Sequence, residues 1–202
     1  MRPAKVTDEQ LYEDLAGVFR RKGYDGASYS DIMEATGLVK ASLYHRFPDG
    51  KEQMVNAILS RVDKEFVDYV LAPAFAEGNV QERAEQVAER LEEFYAGGKR
   101  WCLLDTLTLA ESKQTMSHAR RSMEFWVQAF VRIARDAGVP RAEAKKRAQD
   151  SVAAIEGGLI ASRVLQDQGP FLRAMAGLAQ RLTGEVGREE AGVDRVWRDR
   201  TV

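Results

Sequence analysis

The stretch GLVKASLYHRFPDGK, Gly37 to Lys51, decides how this chain is read. Its spacing predicts a short amphipathic helix entered through a glycine turn and stopped by Pro48. Leu43 and Phe47, four positions apart, share the inner face, while Lys40, Ala41, Tyr44 and His45 fall together on the opposite one. That outer face suits a nucleic-acid groove. Lys40 can reach a phosphate or a guanine edge, Ala41 and Ser42 let the backbone approach the bases, and Tyr44 and His45 can donate to phosphate oxygens. About two turns of helix are marginal alone because nucleation is costly, so neighbouring elements must hold them. By spacing alone, an ordinary helical hairpin in an all-α protein fits equally well.

The neighbours are visible on both sides. Ser28-Tyr29-Ser30-Asp31 has the S-x-x-D form of a capping box and opens a helix that turns Ile32 and Ala35 inward. Gly37 then closes that helix as a left-handed C-cap would. Helix, brief turn and second helix make a helix-turn-helix, in which the second helix enters the major groove. Downstream, Asp49-Gly50-Lys51-Glu52 offers another box, with Asp49 as N-cap. Lys51 is the odd residue there: a cation at the positive end of a helix dipole makes sense if a phosphate docks beside it.

These residues carry a resemblance. Tyr24 in GYDG, followed by SDIMEATGLVKASLYHRFPDGKEQM from Ser30 to Met54, resembles the DNA-binding domain of the TetR/AcrR family of repressors. The extra Gly50 in FPDGKE is similar to the LmrA/YxaF-like branch, as are WCLLDTLTLAE from Trp101 and IEGGLIASRVLQD from Ile155, more loosely. One departure stands out. Val39 holds a position that is usually a small polar cap or proline in such proteins, and valine cannot cap a helix. The DNA-contacting set under this resemblance is Tyr24, Ser30, Lys40, Ala41, Ser42, Tyr44, His45 and Lys51.

Composition bounds the rest. The chain has 202 residues, 45% hydrophobic and 30% charged, enough for a full core without staples. Its one cysteine, Cys102, excludes an internal disulfide or a cysteine metal framework and fits a reducing cytoplasm. His45 and His118 are too few for a histidine metal site, and no apolar run approaches the ~18 residues that would span a bilayer. Net charge is −1 with a pI of about 6.2, which argues against a nonspecific nucleic-acid coater. The first fifty residues hold seven cations against eight acids, so total charge gives DNA binding no support. Nor is there a phosphate-binding glycine loop, a nucleophile elbow or a metal-spaced set, so enzyme function has no anchor.

Read in order, the first helix runs from Thr7, its cap, to about Lys22, with Leu11, Leu15, Val18 and Phe19 as core stripe. Arg20, Arg21 and Lys22 in its last turn read as compensation of the dipole. A long helix from Lys51 to Ala72 carries Met54, Ile58, Val62, Phe66, Tyr69 and Val70 inward and forms the mechanical link to a second, all-helical domain. There, Phe66, Phe94, Trp101, Cys102, Leu104, Trp126 and Phe130 are the candidate lining of a pocket. Aromatic residues at helical spacing are more often plain core. Two last helices, Arg141–Gln168 and Phe171–Leu182, carry Val152, Ile155, Leu159, Ile160, Val164, Leu172, Met175, Leu178 and Leu182; the resemblance implies that they pair with their copies in a twofold interface, and intramolecular packing is the plainer alternative. Gly157 and Gly158 should permit close helix approach.

The expected architecture is all-α: residues 1–50 a three-helix helix-turn-helix domain, 51–184 a helical effector-binding and dimerisation domain, and 185–202 a loose tail. The resemblance implies a cytoplasmic one-component repressor that binds a palindromic double-stranded DNA operator as a homodimer. It would be released by a small organic effector, planar or aromatic, without cofactor, metal or membrane. An all-α scaffold for a protein partner, and a hydrolase or transferase on a helical fold, are the competing readings.

Overall fold

The computed structural model describes residues 6–107 and 113–184, and among them every regular element is a helix. Four helices build the head: α1 (Asp8–Gly26), α2 (Tyr29–Thr36), α3 (Lys40–Arg46) and α4 (Lys51–Glu65). Thr7 caps α1 by accepting the Gln10 amide at 3.2 Å, and regular helix ends at Lys22 because Gly23 turns to φ 67°, ψ −177°. The capping box on α2 is complete, with the Asp31 amide donating to Ser28 Oγ at 3.2 Å and the Ser28 amide donating to Asp31 at 3.0 Å. Gly37, at φ 65°, is the left-handed C-cap. Val39 starts α3 with no side-chain cap, as its aliphatic side chain requires.

The start of α4 departs from expectation. Gly50, not Asp49, is the N-cap, and the Asp49 amide instead donates to Gln53 at 3.1 Å. The reason is room: a Cβ at Gly50 would lie 2.7 Å from the Tyr29 hydroxyl oxygen.

The other end of α4 also departs. The single helix expected to Ala72 stops being α at Glu65, and Phe66–Val70 widens into a π turn in which the Leu71 amide reaches Phe66 O at 3.0 Å. Pro73 has no N–H to give the Tyr69 carbonyl, which takes Arg90 Nη1 at 2.7 Å instead. The wider turn puts Val70 and Leu71 in the core and swings Tyr69 outward to 43% exposure, so Tyr69 is not part of the inner stripe.

The second unit comprises α5 (Ala72–Phe75), α6 (Val80–Phe94), α7 (Leu103–Leu107), α8 (Lys113–Asp136), α9 (Arg141–Leu165), α10 (Gly169–Ala176) and α11 (Leu178–Thr183). The expected last helix is thus two, divided at Gly177. Val87, Leu91, Phe94, Trp126, Phe130, Ile133, Ile155 and Phe171 form its core. Close approach is served by Gly158, whose Cβ would meet Phe171 Cα at 3.1 Å, while Gly157 faces open space. Residues 108–112, within the expected Trp101–Ser112 segment, and the expected tail 185–202 lie outside the described residues.

Packing joins the two units. One buried cluster runs from Leu11 through Leu59 and takes in Leu103 and Leu107 of α7, so the division at residue 50 passes through a single core. Among the described residues no helix is long and apolar enough to cross a membrane.

Candidate functional site

Helix α3 turns Leu43 and Phe47 into the head's core and leaves Lys40, Ala41, Tyr44 and His45 exposed, as the helical period requires. Ser42 is half-buried and Ser30, on α2, is exposed. The Tyr44 ring stacks on Tyr29 with centroids 5.4 Å apart, and Lys40 Nζ stands 5.6 and 5.9 Å from the Tyr29 and Tyr44 centroids. Hydrogen bonding to Tyr44 first, then burial, pushes the Tyr29 phenol up to about 12, so it stays a neutral donor at physiological pH. Tyr29 was not singled out in the sequence. Its place in the capping-box motif, one residue before Ser30, carries no sign that it braces Tyr44.

Two expected contacts sit differently. Lys51 Nζ turns inward, donating to Tyr24 O at 2.8 Å and Ala27 O at 3.1 Å while lying 4.8 Å from the Tyr24 ring centroid. Its ammonium ties the α1–α2 turn to α4, which accounts for a cation at that helix start without a phosphate. Tyr24 is half-buried and stacks on Phe19 at 6.5 Å.

The pocket candidates converge more closely. Phe66, Phe94, Trp101, Cys102, Leu104 and Trp126 line one cavity with about 30 Å³ of free space at its centre, or about 450 Å³ counting gaps between side chains and the open mouth. Phe66 is the hub, edge-on to Phe94 at 5.2 Å and to Trp126 at 5.0 Å. Phe130 does not line it; it is fully buried behind Trp126, at 6.0 Å. Burial first, then the Glu156 carboxyl, raises the Cys102 thiol, keeping it protonated and unreactive.

Sequence reasoning missed the polar lining: Arg20 from α1, Asp63 from α4 and Ser122 from α8. Arg20 follows buried Ala16 by four positions, the one signal that it flanks the inner stripe rather than the solvent. Asp63 accepts from Ser122 Oγ at 2.6 Å and lies 2.5 Å from His118 Nε2. Ser122 bonds Asp63 and the His118 carbonyl and not the imidazole, so this trio has no nucleophile–base pair. No group among the described residues has the make-up to hold a metal.

Residues 14–58 match the bacterial regulatory proteins of the tetR family, and residues 76–177 match the C-terminal domain of LmrA/YxaF-like transcriptional regulators. The chain belongs to the TetR family, in its LmrA/YxaF-like group. The HTH-type transcriptional regulator LmrA of Bacillus subtilis (strain 168) is 24% identical over 174 residues, 81% of this chain and 90% of LmrA. The negative transcriptional regulator IcaR of the Staphylococcus epidermidis biofilm operon icaADBC is 30% identical over 63 residues, 31% of this chain and 34% of IcaR. A TetR transcriptional regulator from Legionella pneumophila shares the fold with a TM-score of 0.77 at 18% identity, over 90% of this chain and 100% of that one. This TetR-family chain is a transcriptional regulator and not an enzyme.

In this LmrA/YxaF-like regulator the residues expected at a twofold interface divide. Val152, Ile155, Leu159, Met175, Leu178 and Leu182 are buried in the chain's own core. Ile160, Val164 and Leu172 are exposed, as is Leu165 beside them. The division follows the helical period: 152, 155 and 159 share one side of α9, and 157, 160 and 164 the other.

Proposed function

We propose that this regulator is a repressor that binds a palindromic operator as a homodimer and leaves it when a small, planar organic effector enters the aromatic cavity. The observation that carries this reading is the outward face of α3, where Lys40, Ala41, Tyr44 and His45 stand exposed on a helix braced by Tyr29. Two copies would set two such faces in successive major grooves about 34 Å apart. The exposed apolar side of α9 and α10, with Ile160, Val164, Leu165 and Leu172, supports association with a second copy. By its relatives, the protein works where operator DNA is, in the cytoplasm, and IcaR, named a negative regulator, supports repression.

Release follows from the cavity walls. Free space of about 30 Å³ holds about two water molecules, so an organic effector must displace side chains of α4, α7 or α8. Both α4 and α7 belong to the head's core, through Leu59, Leu103 and Leu107. An effector that binds the widened conformer better shifts the population toward it and misplaces the reading face.

Selection of genomic DNA fragments by the purified protein, then fluorescence anisotropy on recovered sites at two salt concentrations, tests this reading. A shared palindrome bound with nanomolar affinity supports it. Weak, sequence-blind binding that disappears with added salt would leave only the phosphate term and bring the scaffold reading forward.

A further inference from the structure

Two buried hydrogen-bond donors on side chains that line the cavity have no acceptor among the described residues. Arg20 is 9% exposed and its Nε is buried with no partner; Trp126 is 2% exposed and its indole Nε1 is buried with none. Both residues line the same cavity, whose other walls include the rings of Phe66, Phe94, Tyr95 and Trp101 beside aliphatic side chains. Unpartnered buried donors are costly, and an unpartnered buried cation more so, which is why native interiors rarely keep them. Among the described residues Arg20 forms no ion pair; Glu13, the carboxylate whose field reaches it, is itself paired with Arg100 at 3.7 Å.

We infer that the effector is a planar aromatic molecule bearing an anionic acceptor, a carboxylate foremost, received by the Arg20 guanidinium and the Trp126 indole N–H. This rests on the proposal that the cavity is the effector site. Guanidinium geometry matches a carboxylate, and the aromatic walls match a flat ring system. Burial and the nearby Arg100 both lower the Arg20 pKa, the sign of a cation short of counter-charge. A cationic ligand is the wrong fit. Asp63, the cavity's carboxylate, already has His118 and Ser122 on its Oδ2. Glu156, raised to about 7 by burial, engages Cys102 and leaves its Oε1 without a partner, but it does not line the cavity.

The position of Arg20 gives this anchor a regulatory consequence. Arg20 belongs to α1 and follows Phe19 of the head's core, whereas Trp126 belongs to α8 of the second unit. An acceptor held by both joins the two units through one ligand, so the charged end of the effector acts on the head directly.

Equilibrium dialysis of the full-length protein against 2-naphthoate, neutral 2-methylnaphthalene and cationic 2-naphthylmethylamine tests the assignment. Naphthoate should bind at least about tenfold tighter than either analogue, the usual scale for a charge-assisted hydrogen bond in a dry site. Arg20→Met should erase that preference and retain affinity for the neutral ring, and Trp126→Phe should weaken naphthoate binding several-fold. Equal binding of acid and neutral ring by the wild type overturns the anionic class while leaving the effector cavity standing, and so does a preference that survives Arg20→Met. The wild-type comparison holds even if a variant fails to fold. Saturable binding of none of the three overturns both the class and the cavity's role.

Discussion

At Gly50 the backbone takes φ 69°, ψ −141°, and a Cβ would stand 2.7 Å from the Tyr29 hydroxyl, itself the brace of Tyr44. Gly50→Ala therefore strains the α4 start and pushes Tyr29 from its stack. We expect a loss of about 1–3 kcal/mol in urea unfolding together with weakened operator binding; unchanged stability would mean that α4 can shift without cost. The two lysines of the head separate by the same kind of detail. Lys40 is exposed and should contribute about one unit to the salt slope of DNA binding, so Lys40→Met should reduce that slope by about one. Lys51→Met should instead leave the slope alone and destabilise the head by about 1 kcal/mol, since its ammonium serves the carbonyls of Tyr24 and Ala27. An unaltered slope in Lys40→Met, or a reduced one in Lys51→Met, would reverse the assignment. In the sequence Lys51 shows only its conflict with a helix dipole. The carbonyls that resolve it lie 27 and 24 positions away, beyond any local pattern.

Element boundaries were legible where a short motif sets them and illegible where a distant partner does. Thr7, the Ser28–Asp31 box and Gly37 all act within four residues, and each stands where its chemistry points. At the end of α4, the Tyr69 carbonyl that Pro73 leaves without an amide takes its donor from Arg90, 21 positions on. Two elements offer measurements. The Asp31 carboxyl is held down at about 2 by Lys22 and by Ser28, below its ordinary 3.8. A depressed carboxylate stabilises the fold above its unfolded pKa and loses that contribution as pH falls through the folded value. Asp31→Asn should thus melt below wild type at neutral pH, with the gap narrowing from about pH 4 and closing near pH 2; a gap constant across that range would assign Asp31 no electrostatic part. Arg83 is the fastener between α5, α6 and α8, donating to Pro73 O at 3.1 Å, to Ala74 O, and to Asp136 at 3.0 Å. Arg83→Met strands the Ala74 carbonyl, leaves Pro73 O with the Ala76 amide alone and leaves a carboxylate that Arg132 only partly serves, so urea unfolding should record a loss of about 3 kcal/mol.

Over the whole molecule, which aromatic residues would line a cavity could not be read from periodicity alone. Trp126 and Phe130 are one turn apart on the same stripe of α8, yet the first meets Phe66 across the cavity and the second lies behind it. Only the approach of α4 distinguishes them, and only the packing of α1 on α7 brings Arg20 to the same space. Helix α9 poses the same question outward. Its apolar residues fall on two sides, one closed by the chain's own core and the other bearing Ile160 at 46% and Val164 at 74% exposure, with Leu165 at 65%. A helix apolar on both sides is stable in water when both are covered, and in the proposed homodimer a second copy of the chain would supply the second cover. Charges on the open side should therefore leave the single chain intact and separate the pair. Ile160→Asp with Val164→Glu should give an unchanged circular dichroism spectrum and, for each chain, a stability within about 0.5 kcal/mol of the parent, because both positions are exposed. Sedimentation should fall from dimer to monomer at micromolar concentration, and operator affinity should drop at least about tenfold, because each head then binds its half-site alone. A variant that still sediments as a dimer would place the twofold contact on another face, and α9 would need a different partner for its open side.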